Sequence, residues 1–139
     1  MERRKGIHLC GAIAQAILRN HDVAFIFTGQ ALFGSMSDTL LPSLKSQPLK
    51  GSVHYTGKLD LDELRSLVRA TDIFMLPSLW ENCPYSCLEA MAGGRAIVSS
   101  NQGGMPALIQ HGVNGMLAEC DSPESFVKQI EVLLADGQL

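Results

Sequence analysis

Short apolar runs alternate with stretches of helical period along this chain. Cys10, Ile13, Ala14, Ile17 and Leu18 fall at helical spacing and predict an amphipathic helix ending near Asn20 and His21. Val23 to Phe27 reads as a buried strand stopped by Gly29, and Val53 to Gly57 as the next strand. Between them, Ala31 to Gly51 reads as a loop and a short helix broken at Pro42 and Pro48. Asp60 with Glu63 has the spacing of a capping box, and Leu61, Leu64, Leu67 and Val68 give the helix it opens an apolar face. Ile73 to Leu76 is apolar without alternation, as expected of a strand covered on both faces. A helix from about Pro84 to Ala92 follows, then a strand Ala96 to Ser99, a Gly103-Gly104 turn, a short helix through Leu108 and a strand Met116 to Ala118. Ser122 caps a last helix with Pro123 at its first position and Phe126, Val127, Ile130, Leu133 and Leu134 on its buried face. Strand and helix alternate throughout, which predicts one α/β domain over residues 1–139 with a Rossmann-like, doubly wound parallel sheet. The order begins with a helix, although helices in such folds cross between parallel strands, so a strand before Met1 is expected.

Composition narrows the function classes. A net charge of −3 offers no broad basic face, which argues against nucleic-acid binding. Arg3, Arg4 and Lys5 cluster at the start, where a basic run is ordinarily a solvated terminus. No apolar stretch is long enough to span a membrane, and no signal-peptide core opens the chain. Cys10, Cys83, Cys87 and Cys120 lack the C-x-x-C spacing and read as reduced thiols of a cytoplasmic protein. Cys83 and Cys87 are four apart, but two thiols make a poor metal site, so packing is the expected role and no metal is expected.

Ligands of open α/β sheets bind beyond the carboxyl ends of the strands. Here those ends carry Gly29-Gln30, Gly57-Lys58, Pro77 to Ser86, and Ser99 to Pro106. Pro84 suits a first helical turn, so the backbone N–H groups near Cys83, Tyr85 and Ser86 are expected to open toward the crevice, where a helix N-terminus favours phosphate. Glu81 precedes that helix and Glu89 lies inside it, on the order of 10 Å away. That separation suits two ends of one ligand better than one shared proton, while the bland alternative is a cap and a solvated helix residue.

Taken in order, Arg4-Lys5-Gly6, Thr28-Gly29, Val53 to Gly57, Ala70 to Ser78, Glu81 to Glu89 with Ala90-Met91-Ala92, Gly103 to Pro106 and Gly112 to Gly115 resemble the C-terminal domain of the family 4 retaining glycosyltransferases, also called group 1. The resemblance covers nearly the whole chain and implies the C-terminal half of a GT-B fold with a donor site for a nucleotide-diphospho-sugar. It implies transfer with retention of configuration, in glycan biosynthesis, with no cofactor or divalent metal. Carried onto this sequence, it makes Glu81 the catalytic residue that contacts the donor sugar. It brings backbone groups of Asn82, Cys83 and Tyr85 to the sugar and phosphates, with Ser86 and Gly29 also at the donor. Glu89 would accept from the ribose hydroxyls, and Lys5 would bind the diphosphate, where a fixed cation offsets the charge of the departing group.

Ala96 and Ala107 stand where the family usually has proline and often has glutamate. The family's phosphate-binding arginine, five residues before the lysine, would fall just before Met1. The chain therefore reads as a fragment, truncated at its start and also at its end. It would lack the first strand and the N-terminal acceptor domain, and so be unable to complete catalysis alone. Loss of a central strand would leave a gap in the sheet, giving a marginally stable or self-associating protein through exposed edges. Peripheral membrane association of the parent enzyme is a further expectation. A stand-alone nucleotide-sugar binder or split-enzyme subunit is the alternative from another class. A nucleotide-sugar epimerase is disfavoured by the two-glutamate run and the Gly-Gly-Met-Pro loop. A glycosidase is disfavoured because its carboxyls stand about 5–9.5 Å apart across one bond.

Overall fold

The computed structural model describes residues 3–29 and 50–136. The loop and short helix expected between Ala31 and Gly51 lie outside these residues, apart from Lys50 and Gly51. A single 3-10 turn, Arg3–Lys5, leads through Gly6 into α1, Ile7–Asn20. Then come β1 (Ala24–Thr28), β2 (Ser52–Gly57), α2 (Leu61–Ala70), β3 (Ile73–Leu76), α3 (Tyr85–Ala92), β4 (Ala96–Ser100), α4 (Met105–Leu108), β5 (Met116–Ala118) and α5 (Pro123–Asp136). Every element predicted over the described residues is present, with ends shifted by three residues at most.

All strand pairs are parallel, as the unalternating apolar runs predict. The strands do not form one sheet, however. Among the described residues β1 pairs with β2 in one sheet, and β3, β4 and β5 form a second in that order. No ladder joins the two sheets among the described residues. Register runs from Ile73 opposite Ala96 to Leu76 opposite Ser99, and from Val98 opposite Met116 to Ser100 opposite Ala118.

Successive residues of β4 face opposite layers, which is why its apolar run is continuous. Val98 joins Leu9, Ile13 and Ile17 of α1 and Phe126 and Ile130 of α5. Ile97 joins Cys87 and Ala90 of α3, Met105 of α4, Leu76 and Ile109. Helices thus cover the three-stranded sheet on both faces. A second stripe of α1, Cys10, Ala14 and Leu18, packs with Phe27 of β1, and Val53 of β2 and Met75 of β3 lie against the same group. Helix α1 therefore serves as a common floor for both sheets. Full burial of side chains such as Phe126 and Ile13 contributes about 1.5–3 kcal/mol each before chain entropy is set against it.

The capping box of α2 is present, with Asp60 Oδ1 accepting from the Asp62 and Glu63 N–H groups and Glu63 Oε2 from the Asp60 N–H. The apolar face of α2 is less buried than its spacing predicts. Only Val68 is buried, and Leu61 is 56% exposed. Its first turns border an open groove against α3 instead of packing under a sheet. Helix α5 is capped as expected, its Ser125 N–H donating to Ser122 Oγ at 3.2 Å.

Candidate functional site

The loop from Pro77 to Pro84 leaves β3 at its carboxyl end and is pinned from three sides. Ser100 at the end of β4 donates from Oγ to the Ser78 carbonyl at 2.5 Å. The Gly104 N–H donates to the Glu81 carbonyl at 2.7 Å. From the chain start, the Arg4 carbonyl accepts from the Leu79 N–H at 2.7 Å. Two glycines make these approaches possible. A Cβ on Gly6, which has φ 71°, would lie 1.8 Å from the Pro77 oxygen. On Gly103, with φ 62°, it would lie 2.2 Å from the Glu81 oxygen. Both the backbone conformation and the space exclude a side chain. The Gly103-Gly104 turn, read from sequence as a place for a ligand to approach, is filled by the protein's own loop.

This pinning buries Glu81, at 9% exposure, and aims its carboxylate at the chain start. Lys5 Nζ donates to Oε1, which also accepts from Ser78 Oγ at 3.4 Å. Arg4 Nη1 donates to Oε2 at 3.3 Å and to the Trp80 carbonyl at 3.2 Å. Burial alone pushes the Glu81 carboxyl up, but the hydrogen bond and charge of Lys5, joined by those of Arg4, bring it below its usual value. Arg4 and Lys5 are therefore not a merely solvated basic run. Their side chains remain about half exposed, at 48% and 46%, so both cations also face solvent.

Helix α3 begins beside this cluster, with Pro84 buried at its N-cap. The Tyr85 N–H is not open as the sequence suggests, because it turns back onto the Cys83 carbonyl at 3.0 Å. No protein acceptor takes the Cys83 or Ser86 N–H among the described residues. Asn82 is exposed, its Oδ1 accepting from Trp80 Nε1 at 3.0 Å. The expected packing role of the two nearby thiols divides: Cys87 is fully buried, while Cys83 lies in the loop before the helix and is exposed. Burial pushes the Cys87 thiol up and that of Cys10 up to about 12.

The remaining predicted site residues, Gly29 and Glu89, have other neighbours. Gly29, at φ 122°, ends β1, donating to the Gly57 carbonyl at 2.8 Å and accepting from Tyr55 Oη at 2.6 Å. Glu89 is exposed on α3 and borders a groove of about 280 Å³ with Leu61, Leu64 and Arg65 of α2. A separate cavity of about 580 Å³ lies near the start of α5, lined by Asn101, His111, Glu119 and Lys128, with none of the predicted site residues in it. No group of three or more His, Cys, Asp or Glu side chains is arranged for a metal among the described residues. Sequence reasoning missed Arg4 as a partner of Glu81; adjacency to Lys5 was the one signal available.

Known proteins resemble this chain in sequence and fold. The family profile described as glycosyl transferases group 1 matches residues 1–136. The chain belongs to the group 1 glycosyltransferases. An uncharacterized glycosyltransferase of Methanocaldococcus jannaschii is 29% identical over 133 residues, covering 96% of this chain and 33% of that protein. The N,N'-diacetylbacillosaminyl-diphospho-undecaprenol α-1,3-N-acetylgalactosaminyltransferase of Campylobacter jejuni is 37% identical over 89 residues, 64% of this chain and 23% of that one. This group 1 chain thus spans about a third or less of the length of such relatives. Among solved structures, Anabaena HepE in complex with UDP-glucose superposes with a TM-score of 0.84 at 26% identity, covering 99% of this chain and 38% of HepE. The C-terminal domain of a group 1 glycosyltransferase from Francisella tularensis gives 0.82 at 23%, covering 99% and 73%. The fold is the α/β fold of the C-terminal half of GT-B glycosyltransferases.

Proposed function

We propose that this chain is the nucleotide-diphospho-sugar-binding domain of a retaining glycosyltransferase. The observation that carries the reading is the meeting of Lys5, Arg4 and Glu81 beside the start of α3, at the carboxyl end of β3. A diphosphate carries two negative charges, and it would find there the half-exposed Lys5 and the donor end of a helix, with Arg4 balancing the Glu81 carboxylate. Glu81, ionised and fixed, would accept from hydroxyls of the donor sugar. Lys5 would hold the diphosphate and offset its charge as it departs. The N–H groups near Cys83 and Ser86 would meet the phosphates, and Glu89 the ribose. That HepE, similar over the whole chain, was solved with UDP-glucose and with UDP supports a nucleotide-sugar ligand.

In this reading the chain transfers sugar only together with an acceptor-binding domain, and alone it binds donor without turnover. The parent would work in the cytoplasm, at the membrane surface where its acceptor is lipid-linked. Calorimetric titration of this chain with UDP, GDP and ADP, each alone and as its glucose conjugate, tests the assignment. One base series should bind, Lys5→Gln should weaken the diphosphate and its conjugate alike by roughly tenfold, and Glu89→Ala should weaken both. Unchanged affinity in Glu89→Ala would remove the ribose assignment, and no binding in any series would remove the donor site.

A further inference from the structure

We propose that Arg4 is a positioning residue for Glu81: it keeps the carboxylate fixed and countered when Lys5 turns from it to the donor diphosphate. This rests on the donor-site reading above. One carboxylate here is shared between two cations, each with a different set of anchors. Lys5 reaches Glu81 Oε1 by a flexible stem. Arg4 is tied to the same loop at several points: its carbonyl accepts from the Leu79 N–H, and its Nη1 donates to the Trp80 carbonyl and to Glu81 Oε2. Gly6, pressed against Pro77, fixes the backbone that carries both side chains.

An arriving diphosphate competes for these cations. Exposure does not separate the two cations, but Lys5 meets the loop through its tip at Glu81 while Arg4 also holds the Trp80 carbonyl, so Lys5 is the one that turns toward the diphosphate. Glu81 would then stand nearly buried beside a dianion with its Oε1 released. Without a second cation, the carboxylate would rotate away or take up a proton, because a buried carboxylate near like charge resists ionisation. Arg4 on Oε2 prevents both outcomes and leaves Oε1 directed at the sugar. The guanidinium suits this work, since one planar group can serve the carboxylate and the Trp80 carbonyl together.

The measured quantity is the affinity ratio between a nucleoside diphosphate sugar and the same nucleoside diphosphate. It would be read on this chain by calorimetry with UDP-glucose and UDP, or with the glucose conjugate of GDP or ADP if wild type prefers that base. Arg4→Gln is expected to lower this ratio about tenfold while leaving diphosphate affinity within about twofold. Glu81→Gln should lower it similarly, and the double variant no further, since Arg4 acts through Glu81. Arg4→Lys should recover much of the ratio. Equal weakening of both ligands, additivity with Glu81→Gln, or an unchanged ratio would each overturn the inference. So would an Arg4→Gln chain that circular dichroism shows to be unfolded, because its role would then be structural. A wild type that binds no nucleotide would remove the donor-site reading itself, a result separate from a wild type that binds while Arg4→Gln matches it.

Discussion

Two cations converge on one buried carboxylate at Glu81, and this arrangement has consequences for stability as well as for a ligand. Its folded pKa lies below the usual 4.5, so the carboxylate's contribution to stability is full above that value and is lost as pH falls through the lower folded pKa. Glu81→Gln should therefore lower stability near neutral pH by on the order of 1 kcal/mol and flatten the acid limb of urea-unfolding stability against pH. An acid limb unchanged in the variant would count against the cluster as drawn. Accessibility separates the thiols: Cys83 is exposed, while Cys10 and Cys87 are buried with raised pKa values. Mass-spectrometric mapping after brief iodoacetamide treatment should find Cys83 labelled ahead of these two, and bound nucleotide should slow its labelling. At this scale the sequence was only partly legible. Glu81 and Lys5 could be placed through the family pattern. The Arg4 contact could not, because it depends on how two segments 77 residues apart fold together. Cys83 and Cys87 share a helical spacing, but α3 starts between them, which separates an exposed loop thiol from a buried one.

Elements proved more legible than residues, since unalternating apolar runs and capping patterns are local properties. The Asp60–Glu63 box appears as spaced, and Asp60→Ala should cost about 1 kcal/mol in chemical denaturation. Less was visible in how elements meet. The face of α2 has helical period, but period alone does not say what covers it, and Leu61 remains open to the groove. The Gly103-Gly104 turn was recognisable as a turn, but its partner, the Glu81 backbone, was not. Gly103→Ala should destabilise the chain by about 2 kcal/mol, through left-handed backbone strain and the clash with that loop. Thermal melting of the variant checks this; a melting temperature equal to wild type would mean that the loop yields freely.

Across the whole molecule, the parallel α/β class was legible from alternation of elements, while the division of the described strands into two sheets is a matter of tertiary pairing. Among the described residues β1 pairs only with β2 and β3 only with β4, and an edge of each is left with hydrogen-bonding groups to offer another chain. Sedimentation velocity across a concentration series should show reversible self-association, and a monomer at every concentration would argue against open edges. A quieter consequence lies in α1. Its two stripes meet two clusters, one with β4 and α5 and the other with Phe27 of β1, while Phe25 of β1 and Met75 of β3 pack against both. Among the described residues packing and not strand pairing couples the two sheets, so they can open as separate cooperative units. Native-state amide exchange should then show β1 and β2 exchanging through a smaller opening than β4, with α1 following the slower of the two. The same helix that joins the cores would thus record which of them gives way first.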